Sequence, residues 1–411
     1  MNYVCSTLHT LDALRAVRDE LARVAEMEGA ASGIVQHPDW LAFEVTSRHD
    51  GTTPHIVVVR DGTGRVVGYA PLLAIDHTAR LDVAGRRVSL YRGAALRVLG
   101  GGVVAADADR ATVELVAARQ LAGDPAVRVV RIQEADLPNR FARVLSASGG
   151  GFRTVSAHLL DQVHWSIGPQ ASAEAWLAGM DKKKRGDLTQ RVGRAYRKLG
   201  GDAALHVFER GEDMPRYCAL MNALYARTWH HADLPIDWED PERVALFRRL
   251  ADAGQLIGHV VLREGRPLAY VHGYRLGDTY LVDDLGYDDE VAKVGIGSVA
   301  VFQAVRGLLD RFPGGRVSFG YGDNQYKRLL STEATPCGSL YVVRPMRATA
   351  GFRVYAPVRW LYRGLHRVRD DVRARRQGEG TRRPDGLIHR VMGKARPAAQ
   401  ARAVLTDPER E

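Results

Sequence analysis

Two stretches of the chain carry nearly the same succession of apolar and turn-forming positions. The first runs Ile56-Val-Val-Val-Arg-Asp-Gly-Thr-Gly-Arg-Val-Val-Gly-Tyr69 and the second His259-Val-Val-Leu-Arg-Glu-Gly-Arg-Pro-Leu-Ala-Tyr270. In each, a β-branched run meets a charged residue and a glycine and then a second apolar run, which is the pattern of a β-hairpin. Both copies lead on through strand-like sequence and a glycine-bearing loop into a helical stretch and a short strand. In the first copy these are Gly100 to Gly102, Arg110 to Leu121 and Val127 to Gln133; in the second, Gly295 to Gly297, Ser298 to Leu309 and Arg316 to Gly320. The repeat predicts two α/β units of similar order, each a mixed sheet flanked by helices.

Helical periodicity also predicts Leu11 to Ala25, Asp213 to Thr228, Pro241 to Ala253 and Lys182 to Leu199. In the last of these, Leu188, Val192, Ala195 and Leu199 form one apolar stripe, while Lys184, Arg191, Arg194 and Lys198 fall largely off it. Such a basic amphipathic helix suits either a solvated face on a packed helix or contact with a phosphate-bearing ligand. Beyond Pro345 the sequence is Arg-rich and helical to about Arg376, and Gln377 to Gly386 reads as a flexible polar stretch.

With 411 residues, 45% apolar and 26% charged, the chain has the balance of a globular protein of two domains and a tail. Charges at Asp12, Arg15, Arg18, Asp19 and Glu20 interrupt any leader-like apolar run, and no later stretch approaches a membrane span. Cys5, Cys218 and Cys337 are far apart and form no CxxC pair, so the expected setting is a reducing cytoplasm. The net charge of +10 is concentrated in two segments. Arg353 to Glu411 holds 14 Arg and one Lys against seven acids, and Lys182 to Lys198 holds eight bases against Asp187. Only these two suggest a polyanionic partner.

The loop Asp288 to Gly297 stands directly before a predicted helix, where Gly295, Ile296 and Gly297 would offer backbone N–H groups to a pyrophosphate and Lys293 a formal charge. The loop Gly101 to Asp109 of the first unit instead brings Asp107 and Asp109 to its helix start, which repels phosphate. Downstream, Gly320 and Gly322 end a strand, Asp323 is placed to cap a short helix, and Tyr326 and Lys327 fall in its first turn. Asp283 and Asp284, on the strand after the second hairpin, are candidates for the base that takes a proton from an attacking amine. His230, His231, Asp233, Asp237 and Glu239 do not place two imidazoles on one helical face, and no metal site is expected.

Gly295-Ile-Gly297, followed after a helix by Gly320-Tyr-Gly-Asp-Asn-Gln-Tyr-Lys327, resembles the signature of the CelD/BcsL-type acetyltransferases, relatives of the GNAT superfamily. His37-Pro-Asp-Trp40, Gly68-Tyr-Ala-Pro-Leu72 and the basic helix with Lys184 and Arg185 add to the likeness, which spans roughly Gln36 to Pro345. The resemblance implies two tandem GNAT-like lobes, 1–165 and 166–350, the second holding the donor site and the basic helix 182–199, followed by a tail, 351–411. Fem-type peptidyltransferases, which use aminoacyl-tRNA, share that arrangement. The chain departs from usual GNAT enzymes at Ala292, where Gln or Arg stands, and the Asn-to-Tyr spacing that supplies a general acid leads from Asn324 only to Ser331. The implied activity is transfer of an acyl group from acetyl-CoA or another acyl-CoA to a small-molecule amine. Lys327, Tyr326 and Asp284 would carry the chemistry, Lys293, Gly295, Ile296 and Gly297 the donor, and Lys184, Arg185 and Asp323 contacts to substrate or phosphate, with the acceptor in a groove between the lobes. Two alternatives stand beside it: aminoacyl-tRNA as donor, bound through the basic helix and the tail, and a catalytically inactive binding protein.

Overall fold

Both hairpins form, and each takes the same place in its own sheet. The computed structural model describes residues 3–27, 33–48, 50–83, 86–158, 162–200, 202–228, 231 and 236–376. In chain order the first part contains β1 (Val4–Leu8), α1 (Leu11–Ala16), α2 (Arg18–Glu26), α3 (Pro38–Ser47), β2 (Thr53–Pro54), β3 (Ile56–Arg60) and β4 (Val66–Ala70). There follow β5 (Leu72–Val83), β6 (Arg86–Val98), β7 (Val104–Ala105), α4 (Asp107–Gly123), β8 (Val129–Asp136), α5 (Arg140–Ala147) and β9 (Arg153–Ser156). The second part contains β10 (Gln162–Ile167), α6 (Ala173–Ala178), α7 (Lys182–Leu199), β11 (Ala204–Phe208), α8 (Met214–Tyr225), α9 (Pro241–Asp252), β12 (Leu256–Arg263), β13 (Arg266–Leu276) and β14 (Thr279–Tyr287). It ends in α10 (Ile296–Arg311), β15 (Arg316–Tyr321), α11 (Gln325–Leu330), β16 (Glu333–Val343) and α12 (Tyr355–Arg376).

The chain divides into two compact units, Met1–Ala31 with Arg48–Val163 and Ala334–Glu411, and Ser32–Ser47 with His164–Glu333. Neither unit is continuous in sequence. The reading of 1–165, 166–350 and 351–411 as successive blocks assigns α3 and β16 to the opposite units. The reason for α3 is its aromatic face: Trp40 lies edge-on to Tyr274, with ring centroids 5.1 Å apart, and Phe43 joins a core with Tyr217, Met221, Leu246 and Phe247. The tail begins inside the packed body, since Phe352 and Tyr355 are buried. Residues 377–411 lie outside the described residues.

In the first unit β1, β3, β4 and β7 form one run of strands, and β16, β8, β6, β5 and β2 another, with β9 on β16. In the second the order is β11, β12, β13, β14, β15, β10. The hairpin β3–β4 thus follows edge strand β1 as β12–β13 follows β11, antiparallel throughout. Each unit also has one parallel pair, β6 with β8 and β14 with β15, separated in sequence by a helix, α4 or α10. Turn chemistry differs between the hairpins. Asp61 Oδ1 accepts from the Thr63 and Arg65 amides, which holds its carboxyl down to about 2, with the Thr63 hydroxyl bond the largest cause. The second turns through Glu264 and Gly265 at φ 50° and 77°, the two positive values a two-residue hairpin turn requires.

The helix predicted at Lys182 to Leu199 has those bounds in α7, and its buried positions are Leu188, Ala195 and Leu199. The stretch predicted as one helix from Leu11 to Ala25 is two, parted at Val17. Among the described residues no helix is long and apolar enough to cross a membrane.

The second unit's core contains a buried hydrogen-bonded chain. His272 has Tyr217 Oη 2.8 Å from Nδ1 and Tyr274 Oη 2.7 Å from Nε2, which a neutral imidazole satisfies with one donated and one accepted bond. Burial pushes the His272 pKa down to about 3, and His259 in the same unit and His158 in the first are pushed by burial to about 4. Below the ordinary histidine range the unfolded chain therefore binds protons that the folded chain refuses. Stability falls with pH from about 6.5 down toward these folded values. Denaturant unfolding at about pH 7 and about pH 5 is expected to show the loss above the carboxylate range, and His272→Gln to make the slope shallower. An unchanged slope would remove His272 from that account.

Candidate functional site

β14 carries one residue more than its neighbour can match. His272 pairs with Asp284 and Gly273 with Val282, so Asp283 is the extra residue of a β-bulge. Gly273 is required there because a Cβ would lie 2.3 Å from the Leu281 carbonyl oxygen and 2.5 Å from the Tyr280 ring. Immediately before the bulge the parallel pairing to β15 ends: Thr279, Tyr280 and Leu281 oppose Arg316, Val317 and Ser318, and no further rung follows. Both strands continue, β14 to Tyr287 and β15 to Tyr321. The ladder to β15 therefore claims no backbone group of β14 past Leu281.

Beyond β14 the chain turns through a 3₁₀ segment, Asp289–Val294, into α10. Asp288 fixes this turn. Its Oδ1 accepts from the Glu290 amide at 3.0 Å, its Oδ2 from Arg266 at 2.7 Å, and Arg227 Nε lies 3.2 Å from Oδ2. Burial raises the Asp288 pKa, but the Arg266 and Glu290 hydrogen bonds and the two guanidinium charges outweigh it and hold the carboxyl below its ordinary range. Gly295 closes the segment at φ 78° with nothing within 4 Å of where a Cβ would stand. Gly297 has a packing reason: its missing Cβ leaves room for the Tyr287 ring, 2.5 Å from that position. Ile296 and Gly297 are buried, Lys293, Gly295 and Ser298 are exposed, and α10 begins with no side-chain cap. Its first amides accordingly have no side-chain acceptor at the cap position.

At the end of β15 Gly320 and Gly322 take φ 65° and 93°. Contrary to the expectation from sequence, Asp323 does not cap α11; Asn324 occupies the cap without a side-chain bond, and Asp323 is drawn away by a forked ion pair with Arg328. Tyr326 stands edge-on to Phe319, centroids 5.9 Å apart. Its phenol is raised well above the ordinary range by burial and then by the nearby Asp284 carboxylate. Lys327 Nζ donates to the Tyr321 carbonyl at 2.8 Å, tying α11 to the strand end. Asp284 itself accepts from Tyr270 Oη at 2.8 Å and from the Leu285 amide. The Tyr270 ring reaches it across Gly286, where a Cβ would lie 2.5 Å from that ring.

α7 lies against α10 and the turn before it, with Tyr196 Oη donating to Gln303. Asp181 caps α7 by accepting from the Lys183 and Lys184 amides. Lys184 and Arg185 are half-buried, and burial lowers the Lys184 pKa. Lys183, Lys184, Leu188 and Arg191 line a cavity of about 250 Å³ closed on another side by Leu329 of α11.

The structure thus gathers Asp284 with Tyr326, sets Gly295 to Gly297 at an uncapped helix start, and puts Lys184 on the wall that meets α11. Sequence reasoning missed three residues here. Tyr270 served only as a hairpin end, although its spacing to Asp284 is that of cross-strand neighbours. His164 and Ser318, with Nε2 and Oγ 2.7 Å apart, meet at the last rung of β15; neither stands in a local motif. Of the histidine and acid cluster, His230 and Asp233 lie outside the described residues. His231 stacks on Tyr225, while Asp237 and Glu239 accept from the Glu239 amide and Asn222. Among the described residues no group of three or more His, Cys, Asp and Glu is placed to hold a metal ion.

Residues 182–328, which run from α7 into α11, match the family described as Acetyltransferase (GNAT) domain. No curated protein matches the chain in sequence. Among solved structures, that of FemX superposes with a TM-score of 0.54 over 84% of this chain and 98% of its own, at 11% identity. The C-terminal domain of a putative lysylphosphatidylglycerol synthetase from Agrobacterium fabrum superposes with a TM-score of 0.52 over 84% of this chain and 96% of its own, at 12% identity. At these identities the likeness is one of fold. Residues 182–328 form a GNAT acetyltransferase domain, and the chain is an acyltransferase with tandem GNAT-like units.

Proposed function

We propose that this acyltransferase moves an acyl group from an acyl-CoA to an amine, within the CelD/BcsL-type group that its Gly295 to Gly297 and Gly320 to Lys327 motifs resemble. The observation that carries the reading is the parting of β14 and β15 after Leu281 and Ser318 in the same unit as the uncapped start of α10. The donor residues fit the group: the amides of Ile296, Gly297 and Ser298 would meet the pyrophosphate, and Lys293 would add charge beside them. Asp284 would take the proton from the attacking amine as the C–N bond forms, and the C–S bond would break to release a thiolate that is then protonated from the Asp284 carboxyl or from water. Tyr326, held protonated, is too weak an acid to give up its proton readily and would serve as a hydrogen-bond donor. Lys327 would keep the end of β15 in place. The basic face of α7, with Arg191, Arg194, Arg197 and Lys198 exposed, favours aminoacyl-tRNA as a second reading of the donor.

Calorimetry with acetyl-CoA and with charged tRNA separates the two. The expected result is saturable acetyl-CoA binding and weak tRNA binding that fades with salt. Tight tRNA binding without acetyl-CoA binding would transfer the assignment to the second reading.

Asp284→Asn keeps the shape and removes the base. Turnover of an amine substrate is expected to fall by on the order of a hundredfold or more. Unchanged turnover would return Asp284 to a purely structural partner of Tyr270.

Asp288→Ala releases the turn before α10 without touching the chemistry. The Michaelis constant for acyl-CoA is expected to rise by about tenfold while kcat changes little, because a loosened turn weakens binding of the donor throughout the reaction. Equal loss in kcat with an unchanged Michaelis constant would contradict a positioning role.

A further inference from the structure

Helix α12 is anchored at its start and presents exposed apolar side chains between Trp360 and Leu365. Phe352, just before it, lies with ring centroids 5.0 Å from Tyr341 and 6.0 Å from Tyr91, and Tyr355 is buried. Trp360 is nevertheless 78% exposed, Leu365 61% and Leu361 56%. Val354, in the preceding turn, is exposed as well. These are large apolar side chains gathered within a dozen residues, in a protein whose other exposed large apolar side chains are scattered, such as Val4, Val88, Leu115 and Val207. Single exposed apolar residues are ordinary; a cluster that includes a tryptophan is not.

The sequence continues the pattern. Leu361, Leu365, Val368 and Val372 recur at intervals of four, three and four residues, the spacing of one helical face. Seven arginines and no lysine share the same helix with only Asp370 and Asp371. A helix that exposes Trp360, Leu361 and Leu365, in a segment whose sequence carries seven arginines against two acids, is suited to lie in the plane of a bilayer interface. Its apolar side chains enter the acyl boundary and its guanidinium groups meet lipid phosphates. It is too polar to cross the bilayer. Charge decides between occupants. A second copy of the same face would bring two sets of arginines together with too few acids to offset them. A nucleic acid would meet the arginines but leave Trp360, Leu361 and Leu365 in water.

We propose that α12 docks the protein on the surface of an anionic lipid bilayer through Trp360, Leu361 and Leu365. This surface is independent of the donor assigned above. Vesicle flotation of the full chain tests it, with vesicles of equal phosphatidylglycerol and phosphatidylcholine against vesicles of phosphatidylcholine alone. The full chain floats with the anionic vesicles, less so at high salt, and stays behind with the neutral ones. The triple variant Trp360→Ser, Leu361→Ser, Leu365→Ser lowers partitioning by on the order of a hundredfold. Its thermal unfolding is unchanged, because these side chains face water in the free protein. The proposal is overturned if the full chain binds neither kind of vesicle, binds both alike, or binds equally well with the three serines. It is also overturned if binding survives the serines but is lost from a chain ending at Arg376, which would assign it to residues 377–411. A dimer in sedimentation that the triple variant abolishes would assign the face to a second copy instead.

Discussion

A parallel strand pair that holds for three rungs and then separates is costly unless the groups it releases find other partners, and the unit of His164 to Glu333 is organised around that constraint. β14 and β15 join through Thr279 to Leu281 and Arg316 to Ser318 and no further. The bulge at Asp283 comes directly after the last rung, so the twist that parts the strands is built into β14 itself. Gly273 on one side and Gly286 on the other admit the Tyr280 and Tyr270 rings that hold the bulged strand against its neighbour.

A site of this kind depends on backbone positions more than on reactive side chains, which is why its supports are rigid. The turn before α10 is tied through Asp288 to Arg266, at the second hairpin's own turn, and to Arg227 just beyond α8. The amide of Asp288 also donates to the Leu268 carbonyl. Beneath the sheet, Tyr217, His272 and Tyr274 satisfy one another among Phe247 and Trp238. A buried chain in which each polar side chain has a partner favours one arrangement of its elements, because any shift breaks a hydrogen bond in an apolar setting. The sheet and the turn before α10 are therefore held by two different means, hydrogen-bonded and ionic, that meet on β13.

Local pattern made much of this legible. The period of α7, the two hairpins, the helix after Gly295 and the short strand ending at Gly320 all follow from spacing and turn residues, and they lie where sequence predicts them. What was not legible depends on distant partners. α3 follows the first residues of the chain yet packs with Tyr274, because its Trp40 and Phe43 suit a core assembled some two hundred residues later. Asp323 has the composition of a cap, but an arginine five residues on outcompetes the backbone amides for it. His164 and Ser318 lie on strands whose pairing no motif announces. The bulge at Asp283 is visible only once His272 is paired with Asp284, although the doubled aspartate and the glycines at 273 and 286 are its traces in the sequence.

The first unit shows why repetition of a fold need not repeat a site. It keeps the hairpin, the parallel pair, the helix between them and even a helix start without a side-chain cap, but its strand ends, packing and charge differ. β6 ends at Val98, the residue at which its parallel pairing to β8 also ends, so no unpaired length of strand follows. The short strand β7 pairs with β4 ahead of the helix instead, and Gly68 brings Ala105 and Val113 so close that a Cβ would stand within 3 Å of both. At the start of α4 stand Asp107 and Asp109, with Asp107 accepting from Arg110. Two carboxylates at a helix amino terminus stabilise the helix by meeting its dipole, and by the same charge they refuse a phosphate. Packing and charge agree in the first unit, whose helix start carries two acids that serve its own stability, whereas the first turn of α10 at Gly295 carries none.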